Sequence, residues 1–356
     1  MPTPFSEIVA SAPWRAQAES WIRERVTESG GRVVGDVTQP RIRPWSTQLV
    51  VPTDGGRLWF KANCPALAFE PAVHAALARL DPGEVDAPYA VDTERGWVVT
   101  RDRGVTLGDS HEATLADWQA VVRVAARLQR RLADHGVELL AAGLPDCAPH
   151  TVPARFEALV DALSALSAGH PSHLDAALRK RLRDASGLVE DAVGTLRAGP
   201  MPTSFQHGDL HPGNVFAVDR GLRVFDLGDA QWAHPLESLA VPWGWVHRLT
   251  ALPWPPIVEA YASVWADVID AAELERLLSA AFVTQPVNRA LTWWGAVADA
   301  TSEELVDWGD RPRFFLELAL EPFPCPPHTR FVLRAARNSR SEHHEPGPRW
   351  GPPLAG

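Results

Sequence analysis

The sequence predicts an α+β protein of two lobes, a small β-rich lobe followed by a larger, mostly helical one. Short β-branched and aromatic runs alternate with turn residues between residues 31 and 103. From about residue 112 onward, apolar side chains mostly recur at helical spacing. A length of 356 residues is sufficient for two lobes with well-buried cores. We therefore divide the chain into a helical N-terminal segment (1–30), a β-rich lobe ending in a hinge (31–103), a helical lobe (104–323) and a proline-rich tail (324–356).

The first lobe is predicted to contain a β-hairpin. Thr47–Val51 and Arg57–Lys61 are strand-like runs, and a Thr-Asp-Gly-Gly turn at 53–56 separates them. The lobe is completed by a helix at Phe69–Leu80 and a strand at Gly96–Thr100.

The second lobe is predicted to start with a long capped helix. Thr114 is an N-cap residue, and apolar side chains follow it at helical intervals as far as Leu132. Further helices are expected near 154–167, 173–197, 256–282 and 286–306.

Composition excludes several classes of function. The formal net charge of -10 disfavours a nucleic-acid partner, because phosphates require a basic surface. No apolar run is long enough for a membrane span, and no secretory signal is visible. The three cysteines lie far apart without metal-ligand spacing, so we expect reduced thiols and a cytoplasmic location. A monomer or a homodimer is compatible with these properties.

One short segment carries the chemistry that the sequence indicates. Residues 207–214 read His-Gly-Asp-Leu-His-Pro-Gly-Asn, and an Asp-Leu-Gly triplet begins at Asp226. This pattern is typical of phosphoryl-transfer sites, which need a carboxylate beside the attacking hydroxyl and two oxygen ligands for magnesium. Asp209, Asn214 and Asp226 would supply these three groups.

Strand pairing is expected to bring the two predicted magnesium ligands together. Val215–Val218 and Leu222–Phe225 flank a turn that contains aspartate and glycine, which predicts a second hairpin. The hairpin would place Asn214 at one open end beside Asp226 at the other. Two adjacent oxygen ligands suit a hard, octahedral magnesium ion.

Lysine is unusually scarce in this chain. Of 34 basic residues only Lys61 and Lys180 are lysines. A lysine that persists in such an arginine-rich sequence is a candidate for a role that a planar guanidinium cannot fill, such as cradling a phosphate. Lys61 ends a predicted strand, where a snorkelling lysine is the alternative.

A transition-metal hydrolase is the main alternative for the same polar residues, because imidazole and carboxylate together suit zinc, iron or manganese. The side chains that would form its site are His207, Asp209, His211, Asp226, Asp229 and His234. Such an enzyme gives no role to a strand lysine followed by a helix glutamate, so the sequence favours phosphoryl transfer. A nucleotide-binding pseudokinase is a further alternative, although the intact Asp, Asn and Asp set argues against it.

These motifs together resemble the aminoglycoside phosphotransferase family, the small-molecule branch of the protein-kinase-like fold. The resemblance spans residues 30–320 and implies a two-lobed α+β kinase-like fold with a β-rich N-lobe and a helical C-lobe. It also implies ATP and Mg²⁺ as cofactors and a small-molecule hydroxyl as acceptor. The acceptor stays open among aminoglycosides, amino sugars, other sugars and amino alcohols.

The resemblance assigns roles to the C-lobe motif. Asp209 would be the catalytic base, and His207 would support the loop through hydrogen bonds. Asn214 and Asp226 would bind magnesium on the ATP phosphates.

The resemblance also assigns roles in the N-lobe. Lys61 would hold the α- and β-phosphates, and Glu70 would pair with Lys61. Because Pro71 follows it, Glu70 is equally well placed as a first-turn acid stabilised by the helix dipole. Ser46 would lie on the loop over the phosphates. The adenine would be received by the backbone near Val98–Arg101, which includes Val99 and Arg101.

Departures from the protein-kinase pattern favour a small acceptor. Gly208 replaces the arginine of His-Arg-Asp, no Gly-x-Gly-x-x-Gly precedes the lysine strand, and no Ala-Pro-Glu follows the second acid. Acceptor-binding candidates are Asp229, Asp299, Glu303 and Trp243. A turn role for the first, a solvated helix face for the next two and a core position for the tryptophan remain alternatives.

Overall fold

The N-lobe is a five-stranded antiparallel sheet with the strand order β1-β2-β3-β5-β4. The computed structural model describes residues 3–219 and 221–320, so the predicted tail (324–356) lies outside the described residues. The strands are β1 Thr38–Ile42, β2 Ser46–Thr53, β3 Gly56–Asn63, β4 Ala90–Asp92 and β5 Trp97–Arg101. The hairpin expected at 47–61 is confirmed as β2 and β3, whose register pairs Gln48 with Lys61. The sequence did not indicate β1 or β4.

Helices cover the sheet and lead into the cleft. They are α1 Phe5–Ala10, α2 Ala12–Glu28 and α3 Glu70–Leu80. The helical segment predicted at 1–30 consists of two helices that are divided at Ser11, whose side chain caps α2 by accepting a hydrogen bond from the Trp14 N–H. Trp21 of α2 packs edge-on against Phe60 and Trp97 of the sheet, which buries the inner face of α2.

The C-lobe is mostly helical, so the predicted two-lobed α+β fold is confirmed. Its helices are α4 Leu107–Ser110, α5 Leu115–Leu132, α6 Gly136–Ala141, α7 Val152–Ser164, α8 Ala176–Asp184, α9 Ser186–Ala198, α10 Ala240–Leu249, α11 Pro255–Ala262, α12 Ala271–Ala296, α13 Ser302–Trp308 and α14 Arg311–Leu318. Its strands are β6 Ser204–Gln206, β7 Val215–Val218, β8 Gly221–Val224 and β9 Gln231–Ala233. Thr114 caps α5 as predicted, within a capping box that includes Asp117. Among the described helices, none has the length and apolar character needed to cross a bilayer.

Helix α12 corrects the predicted boundaries near residue 286. The sequence predicted helices at 256–282 and 286–306, but α12 runs without interruption through Pro286. Proline lacks the N–H that would bond to the carbonyl four residues earlier. Buried contacts hold the helix on both sides of this gap, because Thr284 and Asn288 each donate a hydrogen bond to the Glu237 carboxylate, at 2.7 and 2.9 Å.

Glu237 is a fully buried acid at the centre of the C-lobe. Burial raises its pKa to about 7, although the hydrogen bonds from Thr284 and Asn288 oppose the rise. The folded protein therefore holds a proton on Glu237 between about pH 4.3, where the unfolded chain releases it, and pH 7. Since the folded state binds more protons in this interval, the contribution of Glu237 to stability falls as the pH rises.

The substitution Glu237→Gln should remove this pH dependence. One pKa unit corresponds to about 1.4 kcal/mol, so the free energy of unfolding of the wild type should fall relative to the variant by about 3 kcal/mol between pH 4 and pH 8. Urea titrations at a series of pH values would measure this difference. Glu275→Gln, at an exposed position of α12, is the matched control. A constant difference between wild type and Glu237→Gln across this range would contradict the assignment.

Candidate active site

Three neighbouring cavities meet along the cleft between the lobes. The cleft cavity (about 410 Å³) lies between the sheet and the β7–β8 hairpin, and the C-lobe cavity (about 790 Å³) lies between α10, α12 and α14. The central cavity (about 320 Å³) connects them. It shares Lys61, Asn214 and Asp226 with the cleft cavity, and Asp209 and Arg289 with the C-lobe cavity. The structure thus brings together the lysine and the three polar residues of the predicted motif.

Lys61 lies between two carboxylates. Its Nζ is 2.7 Å from Glu70 Oε2 and 2.5 Å from Asp226 Oδ1. Burial disfavours the charged amine, but the two carboxylates outweigh burial and raise the pKa of Lys61. Lys61 therefore presents a permanent positive charge at the boundary of the cleft and central cavities.

Glu70 is the first residue of α3 and is almost completely buried. Its carboxylate also accepts hydrogen bonds from Asn63 Nδ2 (2.6 Å) and from the Leu227 backbone N–H (3.0 Å). The sequence left two roles open for Glu70, a first-turn acid of the helix or a partner of Lys61. The two are compatible, because α3 begins beside Lys61 of β3. Glu70 thereby joins the lysine strand to the segment that follows Asp226.

The predicted β7–β8 hairpin is confirmed, with Val215 opposite Val224. Beyond the last pair, the Phe225 N–H donates to the Asn214 carbonyl at 3.1 Å, which places Asn214 and Asp226 side by side at the open end. Asp226 has a φ of 61°, a left-handed conformation that is uncommon outside glycine. Such backbone strain concentrates at functional sites.

Asn214 and Asp226 fit a magnesium ion. Asn214 Nδ2 donates to the Asp209 carbonyl at 2.9 Å, which leaves the amide oxygen for a cation. Burial opposes ionisation of Asp226, but Lys61 outweighs it and lowers the pKa, so the carboxylate is charged. One carboxylate and one amide oxygen that line the central cavity match the sparse protein ligation that Mg²⁺ uses on nucleotides.

His207 holds the motif loop against the hairpin. Its Nε2 is 2.9 Å from the Phe225 carbonyl, and its Nδ1 accepts a hydrogen bond from the Asp209 N–H at 3.4 Å. A carbonyl only accepts, so Nε2 carries the proton. Burial lowers the pKa of His207, which keeps the ring neutral and this tautomer in place. His207 therefore fixes the backbone of Asp209 from the hairpin side.

Arg289 binds Asp209 from the helical side. Its guanidinium is 3.2 Å from Asp209 Oδ1 and 2.8 Å from Asp229 Oδ1, and its side chain is only 9% exposed. Burial opposes ionisation of Asp209, but Arg289 and then His211 outweigh burial and lower the pKa of the carboxyl. Burial, helped by the charges of Asp209 and Asp226, raises the pKa of Asp229 to about 6 although Arg289 opposes the rise.

Two arginines of the site were not identified from the sequence. Arg289 lies far from the motif in sequence, and only the continuous helix α12 carries it to Asp209. Arg41, on the unexpected strand β1, lines both the cleft and central cavities and lowers the pKa of Asp226. Because arginine is common throughout this sequence, neither Arg41 nor Arg289 could be distinguished from the other arginines. The Pro-Arg-Ile-Arg-Pro segment at 40–44 was the one available signal for Arg41.

The remaining predicted nucleotide contacts lie in or beside these cavities. Ser46 begins β2 and lines the central cavity, with a buried hydroxyl that has no hydrogen-bond partner among the described residues. Arg101 lines the cleft cavity, as do Val98 and Thr100. Val99 faces the sheet core instead, and its carbonyl accepts a hydrogen bond from the Tyr89 N–H.

The predicted acceptor contacts divide into two groups. Trp243 lines the C-lobe cavity and Asp229 lines the central cavity. Asp299 and Glu303 are exposed, and neither is among the described residues that line these three cavities.

The metallohydrolase hypothesis lacks a ligand set in the described part of the chain. No group of three or more histidine, cysteine, aspartate or glutamate residues there is arranged to hold a metal ion. Both ring nitrogens of His207 are engaged by the backbone, and Asp209 Oδ1 accepts a hydrogen bond from the Arg289 guanidinium at 3.2 Å. Instead, the acids of this set lie beside basic side chains: Asp226 pairs with Lys61, and Asp209 pairs with Arg289.

The conformation of the motif loop depends on Gly208. Its φ is +81°, and a Cβ at this position would collide with the backbone carbonyl of Asp229. Gly208→Ala should therefore lower the free energy of unfolding by about 1–3 kcal/mol and displace Asp209. Gly187→Ala is the matched control, because a Cβ there meets nothing within 4 Å in α9 and should be neutral or stabilising by up to about 1 kcal/mol. Equal stabilities of the two variants in thermal unfolding would contradict the close approach.

Comparison with known proteins agrees with this geometry. The family model described as the phosphotransferase enzyme family matches residues 50–277, which is more than half of the chain. The chain belongs to this family. It is thus an enzyme of the phosphotransferase class, as the motif predicted, and Arg289 lies beyond the matched range. No curated protein sequence matches the chain significantly.

Solved structures share the fold at low sequence identity. A macrolide 2'-phosphotransferase from Brachybacterium faecium is 17% identical, with a TM-score of 0.53 over 82% of this chain and 96% of that one. A choline/ethanolamine kinase family protein from Mesorhizobium loti is 17% identical, with a TM-score of 0.56 over 85% and 95%. An aminoglycoside phosphotransferase in complex with GDP and kanamycin is 17% identical, with a TM-score of 0.55 over 85% and 98%. These similarities support the kinase-like fold.

Proposed function

We propose that this phosphotransferase moves the γ-phosphate of ATP to a hydroxyl group of a small molecule, with Asp209 as catalytic base. The observation that carries the proposal is the position of Asp209, at the junction of the central and C-lobe cavities. The central cavity is lined by Lys61, Asn214 and Asp226, which are suited to bind phosphate and its metal ion, and the C-lobe cavity has room for an acceptor.

The cleft cavity is the proposed nucleotide site. Val98 and Trp59 line this cavity from the sheet, and Lys61 lines it beside them. In this arrangement Lys61 binds the α- and β-phosphates, and Glu70 keeps the amine directed toward them. The GDP complex of the aminoglycoside phosphotransferase described above supports a nucleotide in this fold.

Asn214 and Asp226 are the residues that would hold Mg²⁺. When bound, the ion neutralises charge on the β- and γ-phosphates. Arg41 and Lys61 add positive charge on the same side of the central cavity. These groups together would position the γ-phosphate with its phosphorus directed at Asp209.

Asp209 orients the acceptor. Because its pKa is lowered, the carboxylate is ionised at neutral pH and accepts a hydrogen bond from the acceptor hydroxyl. The oxygen–phosphorus bond to the acceptor forms as the bond from the γ-phosphorus to the bridging oxygen breaks, and the hydroxyl proton passes to Asp209. His207 and Arg289 keep Asp209 in place from opposite sides.

An ADP-release screen tests the proposal. The full-length protein would be incubated with ATP and a panel of hydroxyl compounds, with and without Mg²⁺. We expect ADP release that requires both Mg²⁺ and an acceptor, and a calorimetric titration should show Mg²⁺-dependent binding of ATP. Absence of both nucleotide binding and ADP release would overturn the proposal.

The buried, unpaired thiols Cys64 and Cys147 support the further proposal of a cytoplasmic location.

A further inference from the structure

The C-lobe cavity, where the proposed function places the acceptor, is walled by aromatic side chains. The rings come from α10, α12 and α14, and they are Trp243, Trp245, Phe282, Phe314 and Phe315. A volume of about 790 Å³ falls within the range of sites for drug-sized ligands. The apolar wall favours a ligand with a substantial apolar body.

Positive charge predominates in this cavity. Arg248, Arg289 and Arg311 line it, and Asp209 is the one carboxylate among its described lining residues. Arg289 is already paired with Asp209 and Asp229. Among the described residues, the one ion-pair partner of Arg311 is Asp310, at 3.8 Å. A cationic ligand would meet unneutralised guanidinium groups.

Arg248 strengthens this charge imbalance. It is exposed at the end of α10 and forms no ion pair with a described residue. Its guanidinium lies 5.7 Å from the centre of the Phe314 ring, which keeps it at the cavity wall. A carboxylate or phosphate at that wall would gain a charge-assisted, bidentate contact.

Aromatic rings also attract cations, but several of these faces are already in use. Trp245 stacks on His211 at 4.5 Å, and Trp243 stacks on His247 at 4.9 Å. Arg289 lies 5.9 Å from the Phe315 ring. The protein's own imidazole and guanidinium groups thus contact one face of each of these three rings, which limits the attraction of a ligand's ammonium group to the opposite face.

We propose that the acceptor is an apolar hydroxyl compound that carries an anionic group, and not a polycationic one. The hydroxyl lies at Asp209, the apolar body packs on the aromatic wall, and the anion contacts Arg248 and Arg311. This inference rests on the proposed function only for the identity of the cavity as the acceptor site. It distinguishes the chain from the kanamycin-bound relative, whose ligand is an aminoglycoside.

A matched series of naphthalene methanols tests the charge preference. The members differ only in the far substituent, which is a carboxylate, a carboxamide or an aminomethyl group. Affinities would be measured by calorimetry on the full-length protein with ADP and Mg²⁺, so that binding is separated from turnover. We expect the carboxylate to bind about tenfold more tightly than the carboxamide, and the amine to bind most weakly.

Variants identify the groups responsible. Arg248→Gln and Arg311→Gln should each weaken carboxylate binding by about tenfold and leave carboxamide binding unchanged, and Arg248→Lys should restore part of the loss. Arg23→Gln, at a half-exposed position of α2 outside the cavity, is the control and should have no effect. An equal loss of affinity for every member of the series would show that Arg248 and Arg311 do not recognise the carboxylate, and it would overturn their assignment as the anion-binding groups.

The outcomes separate this inference from the proposed function. Tightest binding of the carboxylate supports the anion preference of this cavity even if the compound is not phosphorylated, because the proposed function is tested separately by nucleotide binding and ADP release. Tightest binding or fastest phosphorylation of the amine overturns the inference and leaves the kinase proposal intact. Failure of all three compounds to bind at millimolar concentration also overturns it.

Discussion

Asp209→Asn should abolish phosphate transfer while leaving nucleotide binding nearly unchanged. The amide is close to isosteric with the carboxylate, so the contacts of Asp209 with Asn214 and His207 can persist. It cannot accept the hydroxyl proton, and general-base catalysis typically contributes 10²–10⁴-fold, so we expect a loss of about 10³-fold or more in kcat. The measurements are steady-state ADP release and calorimetric titration with ATP and Mg²⁺.

Asp191→Asn is a suitable control for this change. Asp191 is exposed on α9, far from the cleft in the described fold, and the same substitution there should alter neither property. Wild-type turnover by Asp209→Asn would contradict the role of this carboxylate. A parallel loss of nucleotide affinity would show that the substitution had disturbed the phosphate site as well.

Asp226→Asn should remove the effect of Mg²⁺ on nucleotide binding. Asparagine tolerates the left-handed φ of 61°, so this variant tests the charge with little backbone strain. Lys61 retains Glu70 as a partner. Loss of a direct ligand should weaken binding of the magnesium–nucleotide complex at least as much as the 10- to 100-fold cost of an altered outer-shell contact.

The experiment compares ATP affinity with and without Mg²⁺ in both proteins. We expect a large Mg²⁺-dependent gain in the wild type and almost none in Asp226→Asn. Asp219→Asn, on the turn after β7, is the control, because it lies on the same hairpin at the opposite end from Asp226. An undiminished Mg²⁺ effect in Asp226→Asn would show that the metal is held elsewhere.

The local parts of the fold could be predicted because each has its own sequence signal. The capping box at Thr114 marks the start of α5, and the Thr-Asp-Gly-Gly turn marks the β2–β3 hairpin. Helix α12 could not be delimited in this way. Pro286 normally indicates a helix end, and only tertiary contacts of Thr284 and Asn288 with Glu237 make the helix continuous.

The residues of the site likewise differ in whether a local sequence signal predicts them. Asp209, Asn214 and Asp226 fall in one short motif, and strand pairing alone predicts that the last two lie together. Arg289 reaches Asp209 from 80 residues away in the chain. Such a contact leaves no periodicity or spacing in the sequence, because it depends on how helices pack. The same reason explains why the arginines of the C-lobe cavity became visible only in the folded structure.

The most direct test is to identify the product of the reaction by ³¹P NMR. Full-length protein, ATP and Mg²⁺ would be incubated with an acceptor that supports ADP release. We expect a phosphomonoester signal that grows in equal amount with ADP and is absent with Asp209→Asn. Formation of inorganic phosphate alone, or of product without ATP, would contradict γ-phosphate transfer to a hydroxyl positioned by Asp209.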